Sequence, residues 1–103
     1  MYIRFGLMVA FVAAMSGRAS ADDLMDYGEY LAGECTTCHR IDGVDNGIPG
    51  IVGWNIETFI ETLGYYKSGE RPNPAMVSVA ISLDDEQVRA LATYFASLKA
   101  KAE

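Results

Sequence analysis

Apolar residues recur at intervals of three and four in three parts of the chain, which is the spacing that places them on one face of an α-helix. The first part runs from Leu24 to Gly33, the second runs from Asn55 to Ser68, and the third lies near the C-terminus. No long stretch alternates apolar and polar residues as a half-buried β-strand would. The pattern predicts an all-α fold with three main helices and long loops.

Local signals predict where the second and third helices begin and end. Asn55 is a good N-cap, and Gly69 can end the helix in the left-handed conformation. Ser82 and Asp85 have the spacing of a capping box and predict the start of the last helix. The segment from Glu70 to Ala75 holds two prolines and is predicted to be a loop. The buried stripe of the last helix is expected to comprise Val88, Leu91, Ala92, Phe95 and Leu98.

Residues 1–21 have the three-part layout of a secretory signal peptide. A basic residue, Arg4, precedes an apolar run from Phe5 to Met15, and the small residues Ala19-Ser20-Ala21 follow. The alternative is a retained membrane anchor, but this run is well short of the roughly 20 apolar residues that cross a bilayer as a helix. We therefore expect cleavage after Ala21. Residues 22–103 are then one periplasmic domain without a membrane span.

Charge and size narrow the classes of function. The 103 residues include 8 basic and 14 acidic ones, and the net charge is −6. Such an acidic chain repels phosphate backbones, so it is not expected to bind nucleic acid. A domain this small buries too little apolar surface to be comfortably stable alone. We therefore expect a disulfide, a metal or a large cofactor to reinforce it.

The only two cysteines, Cys35 and Cys38, are followed directly by the only histidine, His39. This Cys-x-x-Cys-His pattern attaches a c-type haem: the two thiols add to the porphyrin vinyl groups, and the next residue offers its imidazole to the iron. A disulfide across two residues would add little constraint. A thioredoxin-like pair needs a βαβ context, and a closed zinc site needs four ligands where three are available. We predict one covalent haem c.

Elimination favours Met76 as the second axial ligand of the iron. Because His39 is the only histidine, a second histidine ligand from this chain is impossible, and only Met25 and Met76 remain after residues 1–21. Met25 lies on the helix that leads into the motif, whereas Met76 lies beyond a proline-rich segment long enough to pass around the haem edge. The alternative is that Met76 is an ordinary core residue. Ligation by histidine and methionine raises the reduction potential and suits electron transfer.

With these features, residues 24–99 resemble a class I cytochrome c. The resemblance implies a small all-α fold whose first and last helices cross near the haem, with Gly28 and either Tyr30 or Leu31 meeting Leu91, Tyr94 and Phe95. It also implies that the carbonyl oxygen of Pro49 accepts the proton of the His39 imidazole, unless Pro49 is a simple turn proline. Three aromatic residues are expected either to surround the haem or to belong to the core: Trp54, Tyr65 and Tyr66.

The segment from Tyr66 to Met76 is similar to that of the short cytochromes found as the haem subunit of flavocytochrome c sulfide dehydrogenase, and to related small periplasmic carriers. Two functions follow from this resemblance. One is a diffusible carrier that cycles between Fe(III) and Fe(II) as it meets its redox partner proteins. The other is a dedicated haem subunit that takes electrons from a flavoprotein. The sequence offers no nucleophile–base pair, hydride site or flavin motif, so we expect any catalysis to belong to a partner.

Overall fold

In the computed structural model, which describes residue 6 and residues 20–99, the chain forms four α-helices and no strand. The helices are α1 (Ala21–Thr36), α2 (Ile56–Ser68), α3 (Pro74–Ile81) and α4 (Asp85–Ser97). The all-α prediction is confirmed. Most of the expected signal peptide, residues 1–21, lies outside the described residues. None of the described helices combines the length and the apolar character needed to cross a membrane.

Helix α1 is longer than predicted at both ends, and at its N-terminus a capping box precedes it. The Ser20 hydroxyl accepts a hydrogen bond from the Asp23 amide, and the Asp23 carboxylate accepts one from the Ser20 amide. Asp22 and Asp23 also place negative charge beside the positive end of the helix dipole. At the other end the helix continues to Thr36, so Cys35 lies within its last turn.

Helix α2 begins and ends as its local signals predict. The Asn55 side chain accepts hydrogen bonds from the amides of Glu57 and Thr58. Gly69 follows the helix with a φ of 82°, a left-handed conformation that favours glycine. The apolar face is directed inward, since Phe59 and Leu63 are buried.

Helix α3 corrects the prediction of three main helices and of a loop from residue 70 to residue 75. It begins at Pro74, where a proline is tolerated because the first amides of a helix have no partner within it. The side chain of Asn73 caps the helix by accepting a hydrogen bond from the Met76 amide at 3.1 Å. Met76 therefore lies in the first turn of a helix and not in a loop.

Helix α4 begins later than the Ser82–Asp85 spacing predicts. Its capping box consists of Asp84 and Gln87, each of whose side chains accepts a hydrogen bond from the other residue's amide. Ser82 instead ends α3. The predicted buried stripe is confirmed for Val88, Leu91, Ala92 and Phe95, while Leu98 is only partly buried.

The core lies where α1 crosses α4. A Cβ added to Gly28 would lie 2.1 Å from the Ala90 carbonyl oxygen, so only glycine allows this approach of the two helices. Tyr30 is 81% exposed and takes no part in the crossing, whereas Leu31 packs against the core. The Phe59 ring stacks on Phe95 with centroids 5.7 Å apart, which joins α2 to α4.

Candidate functional site

The Cys-x-x-Cys-His segment forms one turn that continues from the end of α1. The Cys35 carbonyl oxygen accepts hydrogen bonds from the amides of Cys38 at 3.2 Å and His39 at 2.9 Å. The Thr37 hydroxyl donates a hydrogen bond to the Gly33 carbonyl oxygen at 3.1 Å, which ties the turn to the last turn of α1. Both thiols are free, that of Cys35 half-buried and that of Cys38 exposed. The helix thus presents the two sulfur atoms and the imidazole from a single short segment.

Burial in apolar surroundings favours the neutral form of the Cys35 thiol. Desolvation, reinforced by the nearby negative charge of Glu34, raises the pKa of Cys35 to about 11. The thiol is therefore protonated and neutral at physiological pH. A neutral sulfur can stay in contact with apolar side chains without the cost of a buried charge.

The imidazole of His39 is oriented by a hydrogen bond to Pro49. Its Nδ1 lies 2.6 Å from the Pro49 carbonyl oxygen. Because a carbonyl oxygen can only accept, Nδ1 carries the proton, and in the neutral imidazole Nε2 then keeps its lone pair. This is the tautomer that offers Nε2 to a metal and strengthens its donation. The contact is the one that the family resemblance implies for Pro49.

A glycine contact fixes the loop that carries Pro49. A Cβ on Gly50 would lie 2.2 Å from the Gly43 carbonyl oxygen, so the two ends of this loop touch through their backbones. Within the loop the Asp45 carboxylate accepts a hydrogen bond from the Gly47 amide at 2.8 Å. This closed loop holds the Pro49 carbonyl group beside His39.

An apolar cavity of about 320 Å³ adjoins Cys35. Its walls come from α1, from the end of α3 and the turn that follows it, and from α4. Two polar residues, Glu34 and Ser82, also contribute. The apolar side chains that line it are those of Leu31, Val79, Leu83 and Leu91. The cavity therefore offers apolar surface to a flat ring attached at Cys35.

The two candidate methionines occupy different parts of the fold. Met76 is half-buried and packs against the core from the first turn of α3. Met25 is half-buried in the first half of α1, upstream of the cysteines on the same helix.

The three candidate aromatic residues also differ in placement. Trp54 is half-buried and meets Phe59 edge-on, with ring centroids 6.3 Å apart. Tyr66 packs against the core, and the Arg71 guanidinium lies 5.7 Å above its ring centroid. Tyr65 points outward, where its hydroxyl donates a hydrogen bond to Glu61 that raises the pKa of the phenol. Of the two tyrosines, Tyr66 is therefore the one that belongs to the interior.

Two contacts near the site are not predicted by any pattern in the sequence. The close approach of Gly50 to Gly43 has no sequence signal beyond the presence of glycines. The hydrogen bond from Lys67 Nζ to the Leu83 carbonyl oxygen, at 2.6 Å, joins residues far apart in the chain and has no local pattern.

The residues present fit a c-type haem. Two thiols lie on one turn, an imidazole has Nε2 available, and apolar side chains surround the half-buried thiol. Cys35 and Cys38 would hold the porphyrin, and His39 would face the iron. When bound, the haem supplies one-electron exchange between Fe(III) and Fe(II).

Comparison with known proteins agrees with this fit. No protein-family model matches the chain. It is 34% identical over 96 residues to cytochrome c-553 of Helicobacter pylori, covering 90% of this chain and 96% of that protein. It is 37% identical over 71 residues to the thiosulfate dehydrogenase electron acceptor of Thiomonas intermedia, covering 66% of this chain. The chain spans about a third of the length of the latter, the matched share being 33%.

Fold, site and relatives together define a small electron-transfer protein with a covalent haem c. The chain belongs to the class I c-type cytochromes. Within that family it matches cytochrome c-553 along nearly the whole length of both proteins.

Proposed function

We propose that the protein is a periplasmic electron carrier with a single haem, whose iron is bound by His39 and Met76. The haem is attached through Cys35 and Cys38, and residues 1–21 are removed on export. The carrier takes one electron from a donor protein and passes it to an acceptor.

The hydrogen bond from His39 to Pro49 is the observation that carries this proposal. At 2.6 Å it selects the tautomer with Nε2 free and holds the ring in one orientation. Such orientation limits the rearrangement of the ligand between the two oxidation states. A short contact to a backbone carbonyl group is therefore of direct use to a carrier.

The placement of Met76 supports its role as the second ligand. Helix α3 begins two residues before it, and Asn73 binds the Met76 amide directly. The side chain is therefore attached to ordered backbone and is half-buried at the core. Ligation by histidine and methionine leaves no open iron position, which favours electron transfer over oxygen chemistry.

Replacement of each methionine tests the assignment. The oxidised protein should show the weak absorption band at the red edge of the visible spectrum that marks iron–sulfur ligation. Met76→Ala should abolish this band and lower the reduction potential, whereas Met25→Ala should leave both unchanged. Persistence of the band in Met76→Ala, or its loss in Met25→Ala, would refute the assignment.

Covalent attachment has its own test. The mass of the purified protein should include one haem, and the pigment should stay with the protein through acid–acetone extraction. The Cys35→Ala, Cys38→Ala double variant should lose the pigment under the same treatment. Retention of the pigment by this variant would contradict attachment through these two thiols.

A second candidate function is a dedicated haem subunit of a larger oxidoreductase. The similarity to part of a protein named as the electron acceptor of thiosulfate dehydrogenase favours it. A flavoprotein of the sulfide dehydrogenase type is the partner that the sequence resemblance suggests. Size exclusion of the native protein from its host separates the two functions, because a free carrier elutes alone and a subunit elutes with its partner.

A further inference from the structure

We propose that Lys67 is a positioning residue for the distal haem ligand. Its ammonium group holds the C-terminal end of α3 and so keeps Met76 in place at the iron. Lys67 lies in the last turn of α2, and its Nζ donates a hydrogen bond to the Leu83 carbonyl oxygen at 2.6 Å. The inference rests on the proposed ligation by Met76.

Helix α3 has little packing of its own to hold it. It has eight residues, too few to be stable as an isolated helix. Among the described helices it packs only against α2. Ala80 is its only buried residue, and alanine offers little apolar surface. Ile81, a much larger apolar residue, is 61% exposed. The position of α3 therefore depends strongly on the connections at its two ends.

The connection that leads into α3 is tied to α2 by Arg71. The Arg71 amide donates a hydrogen bond to the Tyr65 carbonyl oxygen at 3.0 Å. The guanidinium of the same residue covers the Tyr66 ring at 5.7 Å. The N-terminal side of α3 is thus attached to α2 by both backbone and side chain.

At the C-terminal side of α3, Lys67 provides the attachment to α2 by itself. Over residues 20–99, its bond to Leu83 is the only hydrogen bond that joins residues 74–83 to another helix. The remaining bonds of the turn after α3 are local, as with the Leu83 amide, which donates to the Ala80 carbonyl oxygen. Without Lys67, the end of α3 would keep only the packing of Ala80 and its neighbours.

The donor is charged, which makes this bond stronger than one between neutral groups. The acceptor lies just beyond the C-terminus of α3, where the helix dipole favours a positive charge. Breaking the bond should let α3 move away from α2 more often, and Met76 would leave the iron with it. The fraction of molecules with the methionine withdrawn is therefore the quantity that Lys67 should control.

Imidazole measures that fraction directly in the ferric holoprotein, because it binds the iron only when the methionine has left. We expect Lys67→Met to bind imidazole with a Kd about three- to tenfold lower than the unmodified protein, from the loss of one charge-assisted hydrogen bond. Lys67→Arg keeps a charged donor and should restore the original Kd. Lys99→Met removes the same charge from an exposed site after α4 and should also leave Kd unchanged.

Hydrogen exchange of the holoprotein gives an independent measure. Amides of residues 77–83 should exchange faster in Lys67→Met than in Lys99→Met, while those of α1 and α4 should not change. Faster exchange with an unchanged imidazole Kd would show that Lys67 supports α3 without positioning the ligand, and would overturn the proposal.

The remaining outcomes are also decisive. An equal shift of Kd in Lys67→Met and Lys99→Met would assign the effect to surface charge and overturn the proposal. If Lys67→Met binds imidazole with unchanged affinity while Met76→Ala has lost the iron–sulfur band, the role of Lys67 is refuted and the ligation by Met76 stands. Persistence of that band in Met76→Ala refutes the ligation itself, and the role of Lys67 with it.

Discussion

The Nδ1 of His39 and the carbonyl oxygen of Pro49 lie 2.6 Å apart, although ten residues separate them in the chain. Their approach depends on the backbone contact between Gly43 and Gly50, which closes the intervening loop. The orientation of the imidazole is therefore controlled by two residues that carry no side chain.

Gly50→Ala should disturb this orientation without altering either hydrogen-bonding group. The new Cβ would lie 2.2 Å from the Gly43 carbonyl oxygen, so the loop must shift and carry Pro49 with it. A weaker bond to Nδ1 makes the imidazole a poorer donor to Fe(III), and the reduction potential should rise. Voltammetry measures this shift. Gly64→Ala is the control, since nothing lies within 4 Å of its Cβ, and an equal shift there would contradict the prediction.

Gly28→Ala should strongly destabilise the fold. The added methyl group would meet the Ala90 carbonyl oxygen at 2.1 Å and the Tyr94 Cβ at 2.8 Å, so α1 and α4 must separate. We expect a loss of about 1–3 kcal/mol in the free energy of unfolding, measured by urea denaturation of the holoprotein. Gly33→Ala on the same helix has no atom within 4 Å and should gain about 0.5–1 kcal/mol. Similar values for the two variants would argue against the close crossing.

Removal of the expected signal peptide should lower the stability of the folded domain. Cleavage after Ala21 removes Ser20, whose side chain caps α1. A chain that begins at Asp22 should be less stable by about 1 kcal/mol than one that begins at Ser20, as urea denaturation will show. A chain that begins with Gly at position 20 should be less stable than the Ser20 chain by only about a few tenths of a kcal/mol, because glycine is a tolerable N-cap. Equal stability of all three chains would show that the cap contributes nothing.

Helix α1 carries five acidic residues and no basic one, so a free carrier should react faster with a basic partner. The reduction rate by such a donor should fall as salt rises, because charges are screened over about 10 Å at 0.1 M. The Glu29→Gln, Glu34→Gln double variant should flatten this dependence more than Glu57→Gln, whose carboxylate pairs with Arg89 on α4. A rate indifferent to salt, with the protein bound to its partner throughout, would favour the subunit.

The parts of the fold that were predictable from sequence are those set by neighbouring residues. Helix α2 is capped by Asn55 and ended by Gly69, and both signals lie within its own sequence. The last helix was placed with a wrong N-cap, because Ser82 with Asp85 and Asp84 with Gln87 both match a capping box and only the second pair forms one.

Other parts depend on contacts between distant residues. The start of helix α3 is not predicted, because Pro72 and Pro74 favour a loop over residues 70–75, although Asn73 followed by Pro74 is also a regular helix start. The exposure of Tyr30 follows from how α1 lies on α4, which periodicity alone does not specify, whereas the family resemblance already implies Gly28 at the crossing.

The packing of α1 on α4 also has a consequence for the order of events during biosynthesis. Gly28 and Ala90 lie far apart in the sequence, so α1 has no helix to pack against until α4 has been made. Contacts between residues so distant in the sequence form slowly, and the folding rate is lower because of them. During that interval the Cys35 thiol, which is half-buried once the helices have packed, is open to solvent. The topology thus leaves a period in which Cys35 can be reached before the domain packs around it, whereas Cys38 stays exposed throughout.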